Sequence, residues 1–453
     1  MRSGLSAALP VPAFIQDKFP EFAARLDGDG PVGVAVSGGG DSVALLYALA
    51  EWGRENLKKR SLEVFCVDHG LNPLSAQWTQ SVAGHAARVG AGFTALHWQG
   101  DKPSTGLAAA ARLARHRLLA EAARRKGVSV LCLAHTADDI AEAEAMRAQG
   151  SSVGSPRVWS PSPVWPEGRD VFLYRPLLDV RREALRHYLR DIGADWIEDP
   201  ANESPHSLRA RTRKALHGSI DERGVPPDEA VITIGEMQAL RHDPQDLGAL
   251  GLIVFRGGVF DALPRDTALK LLATAAVCAG GGDRLPKHDK VMALLEKLPS
   301  GKGLTLAGTR IYRKDDLIII GRETGDIGRN RPEALSLTGK DEAVWDGRFA
   351  IRSARGGEIV ASARLRGDLP DTDRAWLLTL PEILRGTQPV FMSADQKDNQ
   401  NKCLLTNPAL SHSGYNEIKS TCLVWPRLYA ALGLIATESA VKNAQKTIAS
   451  LCG

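Results

Sequence analysis

Between residue 31 and about residue 130 the chain alternates short β-branched runs with longer stretches whose apolar positions recur every three or four residues. That rhythm predicts βαβ units on a parallel sheet. Residues 32–36 read as a buried first strand, and 42–52 as a helix with Val43, Leu46, Tyr47 and Ala50 along one face. A second strand at 62–67 leads to a helix at 74–89, with Ser75 as its expected cap and Trp78, Val82 and Ala86 on one side. A strand at 93–98, an Ala- and Leu-rich helix at 107–126, a strand at 128–134 and a helix from about Ala137 complete the series. Residues 150–168, rich in Ser, Pro and Gly, interrupt it and read as a long loop or lid. A strand at 171–174, a helix at 180–192 and a loop at 195–205 follow. Beyond about 218 the alternation is lost. The expected organisation is therefore an α/β parallel-sheet catalytic domain at 1–217, a helical middle domain at 218–330 and a small α+β domain at 331–453.

A chain of 453 residues exceeds what one hydrophobic core supports, which agrees with several domains. Apolar residues at 43% and charged residues at 24% fit a soluble protein, and no apolar run approaches the roughly 20 residues that span a bilayer. Pro10, Pro12, Asp17 and Lys18 break up the amino-terminal stretch, so no signal peptide is expected. The formal charge of +4 is too small to name a nucleic-acid partner without local clustering. Six cysteines lie scattered, with neither a C-x-x-C pair nor zinc spacing, which suits reduced thiols in a cytoplasmic protein.

The densest chemistry lies at Ser37, Gly38, Gly39, Gly40, Asp41 and Ser42, a glycine-rich turn between an apolar strand and a helix. Glycines let the main chain approach a phosphate, and the free N–H groups of a helix start attract it. The turn is not a Walker A loop, because Asp41 stands where that loop has lysine. A carboxylate beside a phosphate calls for a divalent cation between them, so Asp41 implies Mg²⁺. A second constellation, His135, Asp138, Asp139 and Glu142, has helical spacing at the carboxyl end of the fourth strand, where open α/β sheets bind ligands. Such carboxylates suit either a metal or the ammonium of a cationic substrate. Thr136 with Asp139 also matches a helix cap, which would leave Glu142 on a solvated face.

The hexapeptide 37–42 resembles the SGGxDS signature of the PP-loop, or N-type, ATP pyrophosphatases, which implies a Rossmann-like PP-loop ATPase domain. Further ordered segments are similar to those of tRNA(Ile)-lysidine synthetases. They are Val67-Asp68-His69-Gly70-Leu71 with Ser75, Ala111-Arg112-Leu113-Ala114-Arg115-His116, the HxxDDxxE run 135–142, Arg175-Pro176-Leu177-Leu178, and Trp196 with Asp199-Pro200-Ala201-Asn202, Arg209 and Arg213. The chain departs from that family at His116 (usually Tyr), Ala143 (Thr), Ala201 (Ser) and Ala210 (Asn), and keeps the usual RGSG only loosely at 147–154.

The resemblance implies two steps. ATP adenylates O2 of the wobble cytidine in the CAU anticodon of isoleucine tRNA, and free L-lysine then displaces AMP to give lysidine. Codon reading would change from AUG to AUA, and tRNA identity from Met to Ile. It also implies roles: Ser37 to Ser42 and Arg112 on ATP, Asp41 on Mg²⁺, and Asp138, Asp139, Glu142 and Arg209 on lysine. His69, Arg115, Arg175 and Arg213 would meet tRNA or nucleotide, and His135, Asp138 and Asp41 would serve catalysis. Basic runs at 124–126 and at Arg181, Arg182, Arg186 and Arg190 suit salt-sensitive backbone contacts. Two alternatives stay open, a PP-loop tRNA thiolase and an inactive RNA-binding relative, and so does a homodimer. Against a thiolase, Cys66 and Cys132 fall inside expected strands. Against a glutaminase-type amidotransferase, Arg2 follows Met1.

Overall fold

The computed structural model describes residues 18–57, 60–150, 154–199, 230–243, 246–330, 334–339, 342–365, 367–393, 402–408 and 417–442, with Pro12, Gln16 and Thr212 besides. The chain forms two compact units, one of residues 1–229 and 435–444, the other of 230–434 and 445–453. The spans expected as separate middle and carboxyl-terminal domains thus share a unit.

The first unit runs α1 (Phe19–Arg25), β1 (Val32–Ala35), α2 (Gly40–Asn56), β2 (Leu62–Asp68), α3 (Ser75–Val89), β3 (Gly92–His97), α4 (Leu107–Arg125), β4 (Val130–Cys132), α5 (Ala137–Ala148), β5 (Trp159–Pro161), β6 (Phe172–Tyr174) and α6 (Arg182–Asp191). Its six strands lie in the order β3-β2-β1-β4-β6-β5. All pairings are parallel except β5 with β6. From β1 the chain winds outward through β2 and β3, then returns to the other side of β1 for β4. The crevice beyond the carboxyl ends of β1 and β4 is therefore the topological switch point, where such sheets take ligands.

The strands are apolar because both faces of the sheet are covered. Phe65, Leu96, Leu131 and Leu173 pack with Leu119 and Ala123 of α4. Phe22 of α1 stacks on Tyr174 and Phe19 on Trp52. Each such buried Leu or Phe contributes about 1.5–3 kcal/mol. Two expectations need correction. Ser75 is the first residue of α3 and Leu74 holds the cap position, with Asn72 Oδ1 accepting the Leu74 N–H at 2.9 Å. The loop at 150–168 contains β5, which pairs with β6 because its Trp159 buries against Phe172. Residues 435–444 complete this unit: Trp159 Nε1 donates to the Ile435 carbonyl at 2.8 Å, and buried Glu438 takes Arg60 Nη2 at 2.8 Å.

The second unit contains α7 (Ile234–Leu240), β7 (Ile253–Arg256), α8 (Gly257–Asp261), α9 (Arg265–Gly280), α10 (His288–Lys297), β8 (Leu304–Leu306), β9 (Thr309–Lys314), β10 (Leu317–Arg322) and α11 (Thr324–Asn330). After these come β11 (Leu335–Thr338), β12 (Glu342–Trp345), β13 (Phe349–Ser353), β14 (Gly356–Ala361), α12 (Asp371–Thr379), α13 (Glu382–Arg385), β15 (Pro389–Ser393), β16 (Lys402–Leu404), β17 (Ile418–Cys422) and α14 (Val424–Ala431). The expected helical middle domain is instead mixed. An antiparallel sheet in the order β7-β10-β9-β8 runs through it, built on runs such as Ile318-Ile319-Ile320 whose alternate members are buried. Two smaller sheets follow, β11-β14-β15-β16 and β12-β13-β17. Arg322 and Arg348, both 0% exposed, share the carboxylate of Asp346, with Nε–Oδ2 distances of 2.9 and 2.7 Å. Among the described residues no helix is long and apolar enough to cross a membrane.

Candidate active site

The turn after β1 is held by its own side chains. Ser42 Oγ accepts the Ser37 N–H at 3.1 Å and donates to the Gly39 carbonyl at 2.9 Å, so Ser42 is committed to shaping the loop. Gly38 has φ +89°, a conformation that favours glycine, and Ile197 fills the space where its Cβ would stand. Trp196 packs beside Gly40 at ordinary contact distance. The segment carrying Trp196 and Ile197 therefore closes over the loop, and α2 begins at Gly40 with its free N–H groups at the switch point.

Across the crevice, β4 delivers the second constellation. α5 starts at Ala137 with Thr136 as its cap, so His135 precedes the helix and does not share its face. Asp139 Oδ2 accepts the Thr136 N–H at 2.8 Å and the Thr136 hydroxyl at 3.0 Å, the helix-cap arrangement. Glu142 is not on a solvated face, since only 2% of its side chain is exposed.

What joins the two halves is Arg182, which sequence reasoning placed on a basic helix face. From the first turn of α6 its Nε reaches Asp41 Oδ2 at 3.0 Å, Nη1 reaches Glu142 Oε1 at 3.3 Å and Nη2 reaches Asp139 Oδ1 at 3.6 Å. Its main-chain N–H donates to Asp138 Oδ2 at 2.8 Å, and Arg181 Nε lies 3.4 Å from the same oxygen. Burial works against the charge of Arg182, yet Asp41 and Asp139 outweigh it and hold its pKa above the usual value. Burial pushes Asp41 up, and Arg182 pulls it back only in part. The clue available in the sequence was position: Arg182 opens the helix after the RPLL strand end, and a first-turn side chain there points toward the switch point. Nearby Arg186 makes an exposed pair with Glu198 at 3.6 Å, so within this run it is Arg182 that turns inward.

A third group gathers around α4. His116 is buried, and its pKa is pushed down to about 3 by burial and then by Arg115, Arg112, Arg175 and His135 around it. The imidazole is neutral, and the three guanidinium groups among these neighbours surround it with positive charge suited to phosphate. His69, half-buried beyond β2, is lowered by burial and by Arg115, and sets its ring edge-on to Trp98 at 6.0 Å. Lys102 Nζ lies 4.1 Å from the centre of the Trp98 ring. Arg175, expected to touch tRNA, is 6% exposed and donates from Nη1 to the Arg157 carbonyl at 2.8 Å and to Ser160 Oγ at 3.0 Å. Its guanidinium ties the β5 segment to β6. Arg209 and Arg213 lie outside the described residues.

One protein carboxylate with phosphate oxygens and water is a common arrangement for Mg²⁺, and Asp41 beside the loop fits it. No group of three or more His, Cys, Asp or Glu among the described residues is arranged to hold a metal alone.

The PP-loop domain family matches residues 13–220. A tRNA(Ile)-lysidine synthase from Caulobacter vibrioides is 40% identical, over 90% of this chain and 95% of its own. Another from Hyphomonas neptunium is 35% identical over 76% and 92%. Among solved structures, a U34-tRNA thiolase from Methanococcus maripaludis superposes at a TM-score of 0.37 with 16% identity, covering 45% of this chain and 72% of that one. Over nearly its whole length, with the phosphate loop and the acidic helix start facing each other across the switch point, the chain belongs to the tRNA(Ile)-lysidine synthase family.

Proposed function

We propose that this chain uses ATP to adenylate O2 of the wobble cytidine in the CAU anticodon of isoleucine tRNA, and that free lysine then displaces AMP to form lysidine. The observation that carries the reading is that one arginine ties Asp41, beside the phosphate loop, to Glu142 through its guanidinium and to Asp138 through its main-chain N–H. In this reading a polyphosphate site and an ammonium site flank the place where the nucleobase enters.

In this reading the N–H groups at the start of α2 hold the phosphates, and Arg112 and Arg115 add charge from α4. Asp41 would hold Mg²⁺, which supplies charge neutralisation on the polyphosphate. Asp138, Asp139 and Glu142 receive the lysine side chain through its charge. The attacking amine must be neutral, so a proton has to leave it, and in this reading His135 or one of the carboxylates accepts that proton. Lysidine forms as the amine nitrogen bonds to C2 of the cytosine and the C2–O bond to AMP breaks. Arg209 would meet the lysine carboxylate or a tRNA phosphate.

A thiolase reading is not favoured. Cys66 and Cys132 are buried in β2 and β4, and burial pushes the Cys66 thiol up to about 11, which leaves little thiolate for sulfur chemistry. The deciding experiment is mass analysis of the anticodon nucleoside after incubation with tRNA, ATP and labelled lysine. Lysine mass on the wobble cytidine is expected. Pyrophosphate release without lysine incorporation would reject this substrate assignment.

A further inference from the structure

Arg182 sets a cation of the chain's own among the carboxylates assigned above to the substrate ammonium. Glu142, with 2% of its side chain exposed, has Nη1 of Arg182 at 3.3 Å, and Asp139 has Nη2 at 3.6 Å. A second cation brought to these oxygens is repelled by the first, so lysine and the guanidinium compete for them. The remaining contact of the same guanidinium is Asp41, in the first turn of α2 beside the phosphate loop. A polyphosphate in that loop brings concentrated negative charge next to Arg182. The guanidinium fork pairs bidentately with phosphate oxygens, whereas here it is spread over three carboxylates from two helices. The main-chain N–H of Arg182 holds Asp138 at 2.8 Å and does not depend on where the side chain points.

We propose that Arg182 is a placeholder for the substrate ammonium, filling the seat at Glu142 and Asp139 until a nucleotide draws its side chain onto the phosphates. Lysine binding then follows ATP binding, and free amines are kept out of the empty site. Asp138 stays in place in both states. By linkage, lysine tightens the nucleotide by the same factor that the nucleotide tightens lysine. The inference rests on the reading of Asp138, Asp139 and Glu142 as the lysine pocket.

The test is equilibrium dialysis of labelled lysine against the full chain with tRNA present throughout, with and without α,β-methylene-ATP and Mg²⁺. In the wild type the analogue should tighten lysine by at least ~10-fold. In R182Q, lysine should bind without the analogue at least ~10-fold tighter than in the wild type, and the analogue should change its Kd by less than ~2-fold. Loss of a merely structural ion pair predicts the opposite, weaker lysine binding in both conditions, and that result overturns the proposal. So does a wild-type Kd indifferent to nucleotide. R182K provides a second reading should R182Q not fold. A point charge cannot span three carboxylates, so the nucleotide effect should fall at least ~3-fold, and an unchanged effect overturns the proposal. Lysidine formation by the wild type is assayed alongside. Its absence rejects the functional reading itself, whereas its presence with nucleotide-independent lysine binding rejects the placeholder alone.

Discussion

Ile197 secures Gly38 in two ways: its N–H donates to the Gly38 carbonyl at 2.9 Å, and its Cδ1 occupies the space a Cβ on Gly38 would need. Gly38→Ala therefore meets two penalties, the strain of a side chain at φ +89° and a clash with Ile197. Together they should destabilise the protein by about 1–3 kcal/mol and displace the loop, with a loss of ATP-dependent pyrophosphate release of at least about tenfold. Denaturant unfolding and a pyrophosphate assay read the two effects. Adding Ile197→Ala should recover the clash component but not the strain. Full recovery in the double variant would show that φ at this glycine costs nothing.

Asp41→Ala separates stability from activity. The carboxylate is held partly against burial, so its removal costs the fold little, and Arg182 retains Glu142 and Asp139. Unfolding free energy should change by less than about 1 kcal/mol. ATP-to-AMP turnover should drop roughly 100-fold or more, as expected when a preorganised charge at a polyphosphate is lost. Turnover within a few-fold of the wild type would remove Asp41 from the Mg²⁺ role.

The parallel sheet of the first unit was legible because its strands alternate with helices whose apolar spacing is regular, and the loop at 37–42 lies between two such elements. The capping role of Asp139 was legible too, as one of two alternatives, since Thr136 and Asp139 have the spacing of a cap. Arg182 was not. Its neighbours Arg181, Arg186 and Arg190 make it look like one member of a solvated run, and its partners Asp41, Asp139 and Glu142 come from helices far away in sequence. A contact made only by tertiary folding leaves no local periodicity. The sheet β7-β10-β9-β8 was missed for a related reason: its antiparallel pairings join strands as far apart as Ile253 and Ile320, outside any βαβ rhythm.

His116 should make the first unit sensitive to acid. Its pKa, 6.5 when exposed, is pushed down to about 3 by burial and the neighbouring arginines. The unfolded chain therefore binds a proton that the folded one excludes, so this contribution is fully present above pH 6.5 and lost as pH falls toward about 3. His116→Gln, neutral throughout, should remove up to about 2 kcal/mol of the stability lost between about pH 6.5 and pH 5. Urea unfolding at several pH values measures it. Parallel pH profiles for variant and wild type would show that His116 already titrates normally in the folded protein.

In the second unit the single carboxylate of Asp346 serves two guanidinium groups that water does not reach. Arg322 has further acceptors in the Gly308 carbonyl at 2.7 Å and in Asp326, and Arg348 donates from Nη2 to the Thr387 carbonyl at 2.8 Å. Removing the carboxylate leaves Arg348 with no ionic partner among the described residues at 0% exposure, and burial already lowers its pKa. Asp346→Ala should therefore cost about 3–5 kcal/mol, far more than the loss of a surface ion pair at about 0–1 kcal/mol. Arg265→Ala, which breaks the exposed pair with Glu296 at 3.2 Å, supplies that surface comparison in the same unit. Calorimetric melting of both variants decides the matter: equal shifts would mean that the Asp346 network is hydrated and contributes no more than an exposed pair.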